Sequence, residues 1–130
     1  MKWFIVILFF TFTMGNAQDL ASYKWKNRVI ILFSNTNSKL MNQQFRLLNE
    51  QVASLQDRDI VVLTPNSVDQ LSHKKNIKLD EDFVGLILIG KDGGIKLKKS
   101  FVVEPEVIFN LVDSMPMRRA EIRKQNKGQP

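Results

Sequence analysis

Three short apolar runs set the terms on which this chain can fold. Arg28 is followed by Val29, Ile30, Ile31, Leu32 and Phe33; residues 60–63 read IVVL; residues 84–89 read VGLILI. Each is rich in β-branched side chains and apolar at consecutive positions, which predicts strands covered on both faces. A sheet of that kind needs helices on each side, and the intervening sequence supplies them. Ser38 is placed to cap a helix with the stripe Met41, Phe45, Leu48, Val52 and Leu55, spaced alternately by four and three. Ser67 and Gln70 have capping-box spacing at the start of a short helix that would turn Val68, Leu71 and Ile77 inward. Pro105 suits the first turn of a later helix with the stripe Ile108, Leu111, Val112 and Met115.

The third apolar run ends in GKDGG, where Asp92-Gly93 supplies turn chemistry, and continues as IKLKK. Ile95 and Leu97 would face the core, with Lys96 and Lys98 facing water on an edge strand. The order is therefore βαβαββα. Right-handed crossovers predict that the first three strands run parallel and that the hairpin makes the fourth antiparallel. The expected fold is α/β, a four-stranded mixed sheet of three parallel strands plus one antiparallel edge strand, with helices on both faces. This is the thioredoxin-like arrangement.

Residues 1–17 stand apart from that fold. Lys2 precedes an apolar run from Trp3 to Met14, and Gly15 and Ala17 place small residues before Gln18. This predicts a signal peptide cleaved near Ala17-Gln18, with an uncleaved anchor as the alternative. The run is shorter than the roughly 20 residues a membrane-spanning helix needs. The expected organisation is a signal peptide at 1–17, a domain at 18–117 and a basic C-terminal helix and tail at 118–130, exported to the periplasm or the medium. The chain has no cysteine. Disulfides, thiol catalysis, iron–sulfur clusters, thiolate zinc sites and a lipid anchor are thereby excluded.

The net charge of +6 is unevenly spread. Five cations against Glu121 give the tail +4, and Lys2 carries one more unit, so residues 18–117 hold only +1. A nucleic-acid domain usually spreads its basic residues over a folded face with interleaved aromatics, so no nucleic-acid partner is expected.

LASYKWKNRVIILFS, RDIVVL, GLILIGKDGGIKL and DSMPMRRAEIRK together resemble an uncharacterised domain of thioredoxin-like fold. It is found in small exported bacterial proteins and in sushi-repeat-containing and related extracellular-matrix proteins. The resemblance implies the fold and an extracytoplasmic setting, with adhesion or scaffolding suggested by analogy; it implies no activity. Thioredoxin-like redox proteins carry a Cys-x-x-Cys pair in the loop after the first core strand and a cis-proline before the third. Here those positions read SNTNSK and DEDFVG, which rules out thiol–disulfide exchange and peroxidase chemistry.

His73, the only histidine, sits in the polar stretch SHKKN and is expected to be solvated. Asp80, Glu81 and Asp82 are consecutive and lack the ordered spacing of a calcium loop. No metal and no cofactor is expected. Ser34, Asn35 and Thr36 form a polar loop at the end of the first strand and are a candidate pocket; Ser34 lacks the motif of a hydrolase nucleophile. Trp25 and Arg28 in YKWKNR read equally well as a binding surface or as edge packing. Arg118, Arg119 and Arg123 suit a basic helix starting at Pro116 that meets an anionic envelope partner: lipid headgroups, an acidic glycan or an acidic protein. The opposing reading is a tail whose charges pair locally, Arg118 with Glu121. The expected function is a non-catalytic exported binding module. An enzyme or stress protein using Ser34 to Ser38 is the alternative.

Overall fold

A computed structural model describes residues 20–35 and 38–127; residues 1–19, where a signal peptide is expected, Thr36 and Asn37, and the last three residues lie outside the described residues. After a short 3-10 turn at Leu20–Tyr23 come β1 (Arg28–Phe33), α1 (Lys39–Asn49), α2 (Val52–Asp57), β2 (Ile60–Leu63) and α3 (Ser67–Asn76). They are followed by β3 (Gly85–Ile89), β4 (Ile95–Lys99), α4 (Pro105–Asp113) and α5 (Pro116–Lys127). The sheet order is β2-β1-β3-β4.

β1 is central and buried along its whole length, as its unbroken apolar run requires. Ile30 and Leu32, with Leu86 and Leu88 of β3, face a core closed by Leu48, Leu55, Ile108, Phe109 and Val112 from α1, α2 and α4. Val29, Ile31 and Phe33, with Ile87 and Ile89, face the opposite layer, where Ile77, Leu79, Phe83, Leu20 and Tyr23 pack.

β1 and β2 pair in parallel, Val29 opposite Val61, as the crossover rule requires. β3 corrects the expectation of three parallel strands. It pairs antiparallel to β1, with Phe33 opposite Gly85, and β4 is antiparallel to β3. The cause is the stretch Lys78 to Val84. α3 starts near the end of β1, where Gln70 reaches the Ser34 amide, and ends beside Ile89 and Gly93 at the far end of β3. The seven residues of Lys78 to Val84 can span about 23 Å, more than the height of a five-residue strand. They climb back along the sheet, so β3 starts where β1 finishes. The crossover rule governs strands of like direction and does not apply here.

Two helical stripes also differ from expectation. The chain bends at Gln51, giving two helices instead of one, and Phe45 and Val52 are exposed while Gln44 is wholly buried. Gln44 explains the rotation of that face. Its Nε2 donates to the Val103 carbonyl at 2.9 Å and its Oε1 accepts from the Val103 amide at 2.7 Å, satisfying both polar groups of a buried backbone unit. In α3, Val68 and Leu71 are exposed, and the buried residues are His73 and Lys74. Asn66, not Ser67, caps this helix by accepting the Asp69 amide at 2.8 Å. Ser38, by contrast, caps α1 as expected, accepting the Met41 amide. Of the β4 side chains expected inside, Leu97 packs on the core while Ile95 remains 42% exposed.

Candidate functional site

The best-organised polar structure lies at the end of the sheet where β1 and β2 begin and β3 ends. Arg28 opens β1, and its amide donates to the Asp59 carbonyl at 2.8 Å. Asp59 adopts a left-handed φ of 53°, a conformation that a short polar side chain tolerates, and this turns the chain from α2 into β2. The Arg28 side chain is 1% exposed. Its Nη1 donates to the Arg58 carbonyl at 2.8 Å, and Nη1 and Nη2 each meet one Glu121 oxygen at 3.3 Å. Nε finds no acceptor among the described residues.

Lys91, just past β3, extends its ammonium to Glu121 at 2.7 Å and to Asp59 at 2.9 Å. Arg118, on the first turn of α5, donates to the Asp57 carbonyl at 2.9 Å, to the Asp57 carboxylate at 2.8 Å and to Asp113 at 3.2 Å. Arg58 completes the system with two bonds to Asp113, at 3.0 and 2.9 Å, while its guanidinium stacks 4.5 Å from the Phe109 ring centre. Four cations, Arg28, Arg58, Lys91 and Arg118, thus meet four carboxylates, Asp57, Asp59, Asp113 and Glu121. The assembly is electrically closed and fixes α5 to the sheet.

Burial pushes the Glu121 carboxyl up, but hydrogen bonds from Lys91 and Arg28, aided by their charges, outweigh it and hold the group below its ordinary value. The Arg58 guanidinium, joined by Arg118, holds Asp113 down. For Arg118, burial acts against the charged form, yet the bonds to Asp113 and Asp57 prevail and raise its pKa. Carboxylates so committed stay ionised at neutral pH and are not poised as general acids. A cleft of about 510 Å³ opens on this system, lined by Gln56, Asp57, Asp59, Glu121, Lys124 and Gln125. Its acidic walls already have their counter-ions, and no group of three or more metal-ligating side chains occurs among the described residues.

The expected binding residues divide sharply. Arg28 and Arg118, at 1% and 3% exposure, point into the protein and are not available to a partner. Local pairing, the opposing reading of the tail, describes Arg118: its Nη1 lies 3.7 Å from Glu121, besides its stronger bonds to Asp57 and Asp113. Arg119 and Arg123 lie exposed on the outer side of α5, and Lys124 is exposed on its flank at the rim of the cleft; the three take part in no ion pair among the described residues. Trp25 is 62% exposed.

At the other end of the sheet the candidate pocket is engaged locally. The Ser34 amide donates to Gln70 Oε1 at 3.2 Å and its hydroxyl to the Asn35 carbonyl at 2.9 Å. Asn35 is exposed, and Thr36 lies outside the described residues. His73 is buried, not solvated, with Nδ1 unpartnered among the described residues. Its neighbour Lys74 is also buried; the ammonium caps the Glu81 carbonyl at 2.6 Å and lies 5.4 Å from the Phe33 ring centre.

Residues 19–121 match the family described as a domain of unknown function, DUF4174. The chain belongs to that family. No curated protein matches it. Among solved structures, this DUF4174 domain is similar to the reduced 2-Cys peroxiredoxin of Plasmodium vivax, at 13% identity over 78% of this chain and 72% of that one, with a TM-score of 0.56. That likeness concerns the fold, an α/β thioredoxin-like architecture. The cysteines in the neighbour's name have no counterpart here, since the DUF4174 chain contains none.

Lys91, Asp57, Asp59, Asp113 and Arg58 carry no site signal in the sequence, and Glu121 is read there only as a local partner of Arg118. The stretch DRD at 57–59 reads as an ordinary polar turn, and Glu121 as a lone acid in a basic tail. The available signal was the imbalance itself: an isolated carboxylate among five cations has more potential partners than neighbours along the chain can account for.

Proposed function

We propose that this protein is a non-catalytic binding module, exported by its N-terminal segment, that uses the outer side of α5 to contact an anionic partner. One observation carries the reading: the division of charge on α5. Arg118 and Glu121 turn inward and lock the helix to the sheet, leaving Arg119, Arg123 and Lys124 exposed without counter-ions among the described residues. A helix held rigidly can present three cations in fixed relation, whereas a frayed tail would lose entropy on binding. No helix among the described residues is long and apolar enough to cross a membrane.

The test is association of the chain from Gln18 onward with vesicles containing phosphatidylglycerol and, separately, with heparin, each at rising salt. Near an anionic surface a basic residue contributes roughly 1 kcal/mol, so Arg119→Gln/Arg123→Gln/Lys124→Gln should weaken binding about 100-fold. Fold and stability should be unaffected, because all three side chains face water. Salt-insensitive association, or equal binding by the triple variant, would overturn the proposal.

A further inference from the structure

We infer that the anionic partner is a phospholipid surface and that Trp25 is the apolar anchor entering it; this rests on the α5 reading above. Trp25 is 62% exposed and holds a left-handed φ of 70°. An L side chain adopts that conformation only at an energetic cost, and the surroundings must enforce it. Here they do. The Trp25 amide donates to the Lys91 carbonyl at 2.6 Å, and the amides of Lys26 and Asn27 both donate to the Tyr23 carbonyl, at 2.9 and 2.8 Å. Tyr23 packs on the sheet, so the same turn sends one aromatic inward and holds the next outward.

The setting of the ring indicates what it meets. The stem of Lys24 runs along Gly93, and its ammonium lies 5.7 Å from the Trp25 ring centre. Lys24 and Lys26 make no ion pair among the described residues. One tryptophan between two long cationic side chains lacks the contiguous apolar surround of a protein hot spot. A stacked sugar would have to compete with the Lys24 ammonium. At a bilayer interface each group has a place: the indole at headgroup depth, the lysine stems beside it and their ammonium groups at phosphates. Lys91 also joins this turn to α5, because its carbonyl holds Trp25 and its ammonium holds Glu121. The indole and the exposed cations of α5 are therefore carried by the same end of the sheet.

The experiment uses the chain from Gln18 onward, in which Trp25 is the only tryptophan. With phosphatidylglycerol vesicles, emission should shift to the blue and be quenched by lipids brominated on the acyl chain. Neither should occur with neutral vesicles or with heparin. Lys24→Gln/Lys26→Gln should reduce the quenching, and Trp25→Ala should weaken binding about tenfold while leaving its salt dependence intact. Anionic vesicles bound with Trp25 unquenched would overturn this inference and leave the α5 reading standing, as would salt-sensitive binding to heparin alone. Absence of binding to either probe would overturn both.

Discussion

Replacing Glu121 with Gln removes one negative charge and alters few contacts of shape. Glu121 accepts bonds from Arg28 at 3.3 Å through both oxygens and from Lys91 at 2.7 Å. Those cations are 1% and 9% exposed, so water cannot replace the lost charge without opening the site. Removing one partner of a buried pair typically costs about 3–5 kcal/mol. Glu121 itself retains 24% side-chain exposure and Lys91 keeps Asp59, which places the expected loss lower. The expectation is a destabilisation of about 2–3 kcal/mol, or a fall of about 10 °C in Tm. Urea unfolding at pH 7 measures it, with the exposed Glu106→Gln as a control expected within about 0.5 kcal/mol of the parent. Adding Arg28→Met should recover part of the loss, with a coupling of at least about 1 kcal/mol, since the stranded cation is then gone. A Glu121→Gln protein as stable as the parent, or a strictly additive double variant, would refute the view that this network clamps α5.

The remaining expectations concern pH, the buried amide and the helix cap. Glu121 and Asp113 have folded-state pKa values below the ordinary 4.5 and 3.8, so the unfolded chain binds more protons as acid is added. Their contribution is present above those ordinary values and is lost as pH falls through the depressed ones. Urea midpoints should hold from pH 7 to about 5.5 and decline toward pH 3, less steeply in Glu121→Gln; a flat profile would contradict the assignment. Gln44→Ala strands the amide and carbonyl of Val103 and should cost about 3 kcal/mol by urea unfolding, with Gln44→Met restoring little because the deficit is polar. Asn66→Ala should cost about 1 kcal/mol and Ser67→Ala only a few tenths, the reverse of what the capping-box spacing predicts.

What could be read from the sequence was what local pattern determines. β1, β2 and β4 begin and end where their apolar or alternating runs do, and α5 starts at Pro116 as anticipated. These elements follow from period and punctuation, which act over a few residues. The direction of β3 did not, because it depends on whether Lys78 to Val84 stays local or traverses the sheet, and its acidic composition suits either course. The buried Gln44 was hidden for a similar reason: its need arises from Val103, 59 positions away. In α3, apolar Val68 and Leu71 lost the inward face to His73 and Lys74, whose stems pack while the Lys74 ammonium finds the Glu81 carbonyl. The charge network was illegible on the same principle. Sequence shows how many cations a segment carries, and only the fold shows which of them are neutralised.

Arg28 and Glu121 lie 93 positions apart. A chain made or threaded from its N-terminus therefore presents the sheet long before it presents the charge that closes its base. Until Glu121 arrives, Arg28 lacks a carboxylate partner and the base must remain hydrated. α5 thus ties the last part of the chain to the first residue of its first strand: a product cut short before Glu121 leaves Arg28 at the base of the sheet either hydrated or buried without its carboxylate.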